Sequence, residues 1–379
     1  MVDNVIIISE ENIPANRAFV LLVFLCLFVS CTKAPEPHES ESQSETEIYY
    51  HSIDTVKTYI NLRTSDVLGS PFNIRAVGDG VIFSDWGYDC ITKLDHTGNK
   101  LLSFGKRGKG PGEFLSPARF WVFDDSYMVY DYNGFKFIKY NHNGEFIREK
   151  IKKNPVNPGF PPAIPVTVHA RSPDTLLIPS GGKQGSLFAI FDMNSDSLTY
   201  AGEAVGPHVG VFNSEEVDRA YKQGEIPDIF LNFVLLSSNA KKIYAIKLTT
   251  GLLQKYTSDG KPLWQKDIKI PEQENLFREA ARHNQSYNPR KDAPKMYSYA
   301  DAMDARKQGV AVLLNMPSGQ PVTVAWIPAN GKRIDVISYP DISSDKLGFQ
   351  NSFSILPEQE LIYFLNKQDG VIYKAHWPL

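Results

Sequence analysis

Along most of this chain the apolar residues come in short runs, each closed by a turn rich in Gly, Asn, Asp or Ser. Runs of that length and punctuation predict β-strands rather than helices. The runs also repeat. Ile82-Phe83-Ser84-Asp85-Trp86 with Lys93-Leu94-Asp95-His96-Thr97-Gly98 aligns without gaps on Met128-Val129-Tyr130-Asp131-Tyr132 with Lys139-Tyr140-Asn141-His142-Asn143-Gly144. Asp85 falls on Asp131, Trp86 on Tyr132, His96 on His142 and Gly98 on Gly144. A third copy runs from Ile243-Tyr244-Ala245-Ile246-Lys247 to Lys255-Tyr256-Thr257-Ser258-Asp259-Gly260, and a fourth from Tyr363-Phe364-Leu365-Asn366 to Ile372-Tyr373-Lys374-Ala375. Weaker copies occupy Thr175 to Tyr200 and Gly309 to Ile337.

Each copy reads as a strand, a polar turn, a strand, a glycine turn and usually a third strand, such as Lys100 to Phe104. One such meander cannot bury both of its faces, so the copies stack radially as propeller blades. Strands starting near Val81, Tyr127, Leu176, Lys242, Val310 and Leu361 predict an all-β, six-bladed β-propeller over residues 51–379. The last copy has only two strands of its own, while His51 to Leu62 is strand-prone. The N-terminal strand is therefore expected to close the last blade and remove two sheet edges. Ser214 to Gly224 and Glu272 to Gln308 break the spacing with helix-like patterns and are expected to cap one face.

Ahead of the repeat, Ala18 to Ser30 is an unbroken run of apolar and small residues. It is shorter than the ~20 residues a membrane-spanning helix needs and suits the core of a secretion signal over residues 1–30. Phe28-Val29-Ser30-Cys31 resembles a bacterial lipobox, which implies a lipid-bearing Cys31 at the mature N-terminus. Residues 31–50 then read as a tether, for Thr32 to Glu47 is Pro-, Ser- and Glu-rich without a large apolar side chain. Of the three cysteines, Cys26 lies in the signal, Cys31 is the acylation candidate, and Cys90 stands alone in the body. The mature domain thus has no internal disulfide to make, and Cys90 reads as a small buried hydrophobe beside a strand.

Composition narrows the function classes. The formal charge of -3 gives no basic footprint for nucleic acid. The Gly105-Lys106-Arg107-Gly108-Lys109-Gly110 stretch lacks the Gly-Lys-Ser/Thr ending of a phosphate-binding P-loop and reads as a turn between blades. There is no Gly-x-Ser-x-Gly elbow and no His-Glu-x-x-His, so no catalytic residues are assigned.

That same stretch carries a resemblance. Phe104-Gly105 through Pro111-Gly112-Glu113-Phe114 is similar to the inter-blade segment of NHL-type propellers, in which Phe-Gly, a glycine-rich stretch, Pro-Gly and a terminal Phe lead into the next blade. With the lipobox and six blades, the whole chain resembles the six-bladed propeller lipoproteins of Bacteroidetes, including TolB-like members. The resemblance implies a propeller held in the cell envelope and attached to the outer membrane, and it defines no activity.

The candidate site follows from the repeat. Asp85, Asp131, Lys247 and Asn366 occupy equivalent ends of the expected inner strands, which puts them at one mouth of the central channel with Trp86 and Tyr132 beside them. Polar groups converging there suit a small ligand or a protein partner, and the aromatics suit stacking on a sugar or peptide. A non-catalytic binding lipoprotein, anchored to the membrane by its lipid, is the leading expectation. The alternative is a metal-dependent hydrolase or lactonase using the channel-mouth carboxylates. No metal site or cofactor is assigned, calcium being the one ion that the oxygens would suit. A scaffold role would instead show a large apolar patch on a blade side. His96 and His142 read as solvated turn residues.

Overall fold

The computed structural model describes residues 47–61, 70–151, 168–206, 213–239, 241–286, 298–347 and 353–379. The expected signal segment, Cys31 and nearly all of the tether lie outside these residues. Two strands precede the repeat, β1 (Glu47–Ser52) and β2 (Val56–Asn61). Blade 1 consists of β3 (Pro71–Val77), β4 (Gly80–Asp85), β5 (Cys90–Leu94) and β6 (Lys100–Phe104). Blade 2 holds β7 (Pro117–Val122), β8 (Tyr127–Asp131), β9 (Lys136–Tyr140) and β10 (Phe146–Ile151). Blade 3 holds β11 (His169–Ser172), β12 (Thr175–Pro179), β13 (Phe188–Asp192) and β14 (Ser197–Ala201). Blade 4 holds β15 (Val234–Ser238), β16 (Lys242–Lys247), β17 (Leu252–Thr257) and β18 (Pro262–Asp267). Blade 5 holds β19 (Ala300–Ala305), β20 (Gly309–Leu314), β21 (Pro321–Pro328) and β22 (Arg333–Ser343). Blade 6 holds β23 (Phe353–Leu356), β24 (Leu361–Asn366) and β25 (Val371–His376).

The period of two explains why these sheets close into a ring. On β4, Val81 and Phe83 pack toward blade 6 with Tyr363 and Leu365, while Ile82 packs toward blade 2 with Phe120 and Val129. On β16, Tyr244 and Ile246 face Val310 and Val312 of blade 5, while Ile243 and Ala245 face Leu177 and Phe188 of blade 3. On β20, Ala311 and Leu313 turn the other way, onto Ile362 and Phe364 of blade 6. Strands buried on both faces read as continuous apolar runs, which is how they stand in the sequence. The first strands contact one another around the axis, β11 with β15, β15 with β19, β19 with β23, β23 with β3 and β3 with β7. They are the inner strands.

This corrects the assignment of strand positions. The strands aligned in the sequence, β4, β8, β12, β16, β20 and β24, are second in their sheets, and each blade starts one strand earlier. The repeat stands out at the hairpin between second and third strands, because both are buried and apolar. The channel-lining strand carries polar side chains and blends into the loop before it.

The closing strand is where it was expected. β2 pairs antiparallel with β25, from Val56 opposite Ala375 to Asn61 opposite Val371. A further strand had no forecast: β1 adds to blade 5 parallel to β22, from Glu47 opposite Arg333 to Ser52 opposite Ser338. β1 takes in Glu47 to Tyr50, which fall inside the span read as tether. The helix-like insertions give α1 (Ser214–Gln223), capped by Asn213 and ended by Gly224, then the short α2 (Asp228–Leu231), and α3 (Glu274–Ser286). α1 packs on α3. Within the second insertion Glu274–Ser286 is helical, whereas Ala300–Ala305 is the inner strand of blade 5. Among the described residues, no helix is long and apolar enough to cross a membrane.

Candidate functional site

The repeat-derived candidates share a face, as their equivalence requires. Asp85, Asp131, Lys247 and Asn366 each end the second strand of a blade. Antiparallel pairing sets that end beside the start of the inner strand, Pro71 opposite Asp85 and Pro117 opposite Asp131. All four side chains are buried. Asp85 Oδ1 accepts the backbone N–H groups of Ser70 (2.8 Å), Gly87 (2.7 Å) and Tyr88 (3.2 Å). Asp131 accepts those of Leu115 (3.0 Å) and Ser116 (2.7 Å). Asn366 Oδ1 accepts from Asp369 N at 3.0 Å. Burial raises the Asp131 pKa, although the Leu115, Ser116 and Gly134 amides oppose it, and burial lowers that of Lys247. Asp85, Asp131 and Asn366 thus accept backbone amides of their hairpin turns, and Asp85 and Asp131 also hold the segments entering blades 1 and 2. Among the described residues, no three His, Cys, Asp or Glu side chains converge as a metal set. Trp86 and Tyr132 sit at the rim of the same face. The Trp86 indole N–H donates to Pro117 O at 3.1 Å, and the Tyr132 backbone N–H donates to Ser116 O at 2.9 Å.

A cavity of about 620 Å³ lies in the channel, and none of those six residues lines it. Each inner strand contributes a side chain: Arg75 from β3, Arg119 from β7, His169 from β11, Ser237 from β15, Asp304 from β19 and Phe353 from β23. The lining continues past the C-terminal ends of these strands, through Asp124, Asp125, Asn239 and Lys307. It therefore opens on the face opposite Asp85 and Asp131. A signal for it exists in the sequence, since Asn73/Arg75, His169/Arg171 and Asp304/Arg306 place polar residues two apart around a small or aliphatic one. That alternation suits a strand with one face on the channel.

Its electrostatics centre on Asp304, which is fully enclosed. Arg75 donates to Oδ1, while Arg306 (3.0 and 3.2 Å), Ser354 Oγ (2.8 Å) and the Ile355 backbone N–H (3.0 Å) all donate to Oδ2. Burial disfavours the carboxylate, but Arg306, Arg75 and the two hydrogen-bond donors outweigh it and hold its pKa below the ordinary value. Arg306 also reaches Ser354 Oγ (2.9 Å) and Ala76 O (3.3 Å), so the network joins blades 1, 5 and 6. Across the cavity, burial pushes Arg119 down to about 9, which leaves it charged at neutral pH. Burial, then Arg119 and Arg75, push His169 down to about 3, so this imidazole is neutral. Its Nε2 accepts the Ser238 backbone N–H at 3.1 Å, which puts the ring proton on Nδ1. Three guanidiniums thus gather around the Asp304 carboxylate, and Glu358 acts on Arg306 from the same lining.

Comparison with known proteins agrees with the architecture. Residues 39–156 match the profile of the family DUF5128, described as a 6-bladed β-propeller. No curated protein matches the chain. Among solved structures, BF0058 of Bacteroides fragilis, assigned as an exported protein, is similar with a TM-score of 0.51 at 14% identity, covering 86% of this chain and 98% of that one. Virginiamycin B lyase of Staphylococcus aureus aligns with a TM-score of 0.45 at 10% identity over 85% of this chain and 99% of that one. A member of the duf4221 family from Bacteroides vulgatus aligns with a TM-score of 0.42 at 11% identity, covering 86% of this chain and 94% of that one. By its strand order, its inter-blade cores and the family profile, the chain is a six-bladed β-propeller.

Proposed function

We propose that this protein is an exported, lipid-anchored binding protein of the cell envelope that takes a compact anionic ligand into its channel cavity without turning it over. The observation that carries the reading is the charge that the inner strands bring to the cavity, where Arg75, Arg119 and Arg306 gather around Asp304, with Glu358, Asp124 and Asp125 farther along the lining. A cavity of about 620 Å³ is the size of a small-molecule site, and desolvated guanidiniums favour carboxylate or phosphate by charge-assisted hydrogen bonds. The neutral His169 adds a hydrogen-bonding ring without adding charge. The hydrolase alternative asked for carboxylates converging at the channel mouth, and Asp85 and Asp131 instead hold backbone amides.

Calorimetric titration with a panel of di- and tricarboxylates and phosphate esters tests the ligand class. At least one of these anions is expected to bind, its affinity falling as salt rises, and Arg119→Met is expected to weaken it tenfold or more, or about 1.4 kcal/mol. Binding only of uncharged compounds, or equal binding by the variant, refutes the reading. The anchor rests on the apolar run before Ser30-Cys31 and on the tether behind it. Mass spectrometry of the mature protein is expected to find acyl chains on an N-terminal Cys31; an unmodified Cys31 rules the anchor out.

A further inference from the structure

On the face away from that cavity, the hairpin turns of blades 1 and 2 present aromatic rings to solvent. Trp86 is 40% exposed, Tyr88 58% and Phe135 45%. Trp86 and Phe135 have ring neighbours. Trp86 stacks on Phe72 with centroids 4.1 Å apart and planes 16° from parallel, and Lys367 Nζ lies 4.1 Å from the Phe72 centroid. Trp86 and Tyr132 are both tied to Ser116-Pro117, so the two turns lie side by side. The Tyr132 and Phe135 centroids are 6.4 Å apart.

Phe135 is the informative residue. Its φ is +51°, in the left-handed region. The equivalent positions, four residues past the strand-ending Asp85, Lys247 and Asn366, hold Asp89 (φ +48°), Gly251 (+68°) and Gly370 (+63°). Glycine adopts this conformation freely and Asp tolerates it, whereas a bulky side chain there is an outlier. A ring that is nearly half exposed gains little from packing in return. Local strain of this kind collects at ligand sites.

The size and charge of the rim select among occupants. Three half-exposed rings offer roughly 300 Å² of apolar surface, well short of the about 800 Å² per partner of a standard protein interface. That area suits a short saccharide, whose C–H faces stack on rings. The adjoining loop carries the exposed Lys106, Arg107 and Lys109. Lys106 is 3.2 Å from Glu113 and Arg107 is 3.7 Å from Asp89, and all three are within reach of solvent.

We propose that Trp86, Tyr88, Tyr132 and Phe135 form a saccharide-binding rim, with sugar rings stacked on the aromatics and acidic substituents directed at Arg107 and Lys109. This site is separate from the channel cavity and does not depend on it. Titration with oligogalacturonate and with neutral cello-oligosaccharide tests the proposal. Oligogalacturonate is expected to bind more tightly, and Phe135→Gly to weaken it at least tenfold while the melting temperature stays equal or rises, since the turn is relieved. Absence of oligogalacturonate binding, equal or tighter binding of the neutral chain, or unchanged affinity in Phe135→Gly overturns it. A lowered melting temperature in that variant also overturns it, because the ring would then serve packing.

Discussion

Replacing Asp304 with alanine is expected to remove about 3–5 kcal/mol of folding stability, because it leaves the Arg75 and Arg306 guanidiniums without their shared counter-charge inside the channel. The intact network is a different quantity from the cost of breaking it. Taking Asp304 and Arg306 largely out of water, with Arg75 partly so, is itself unfavourable, so the assembly contributes far less than its Coulomb attraction suggests. Removing one member exposes the uncompensated remainder. The loss also spreads across the ring, since Asp304 accepts from blade 1 through Arg75 and from blade 6 through Ser354 and Ile355. Urea unfolding of both proteins measures the difference. Its pH dependence has a definite sign. The Asp304 pKa is depressed in the folded state, so its contribution is present above the ordinary carboxylate pKa and fades as pH falls through the depressed value. The gap between the two proteins should therefore be widest near neutrality and narrow in acid. A loss under 1 kcal/mol at neutral pH would mean that the two arginines find other partners.

How much of this was readable in the sequence depends on where a residue's constraint comes from. Val81, Ile82 and Phe83 are buried on alternate sides by two neighbouring blades, and that demand writes itself into a continuous apolar run. Asp85 and Asp131 were legible as equivalent because each must accept amides at the same turn. Their chemistry was not, since the same carboxylate at a strand end serves a ligand or a backbone equally well until its hydrogen bonds are seen. The cavity was missed for a related reason. Asn73, Arg75, His169 and Asp304 interrupt the hydrophobic pattern of short inner strands, so these strands read as loops leading into the repeat. Their convergence comes from the ring, which brings residues as distant as Arg75 and Asp304 together. β1 escaped notice because its side chains are almost all exposed and it is held mainly by pairing with β22. The strain at Phe135 is a backbone property that the identity of the residue argues against.

Ring closure is the remaining test, and deletion of residues 47–61 is expected to bring the domain close to its unfolding threshold. β2 is the outer strand of blade 6, and its removal strips the β25 edge of its partners from Val371 to Ala375. It also removes Tyr59, which packs edge-on to Tyr363 at 5.3 Å and donates to Asp95 O of blade 1. Half-buried Val56, Tyr59 and Ile60 together with the lost strand hydrogen bonds amount to about 5 kcal/mol or more, against a total of roughly 5–15 kcal/mol for a typical domain. Because such a truncation can fail to fold altogether, the informative partner experiment strengthens the closure instead. Lys57 and Lys374 face one another across the β2–β25 pair, and cysteines at both positions are placed to form a cross-strand disulfide. With nearly the whole propeller inside the closed loop, the oxidised variant should melt about 5 °C above its reduced form. If oxidation leaves the melting temperature unchanged while the truncated protein stays as stable as the full chain, the two ends do not hold the ring together.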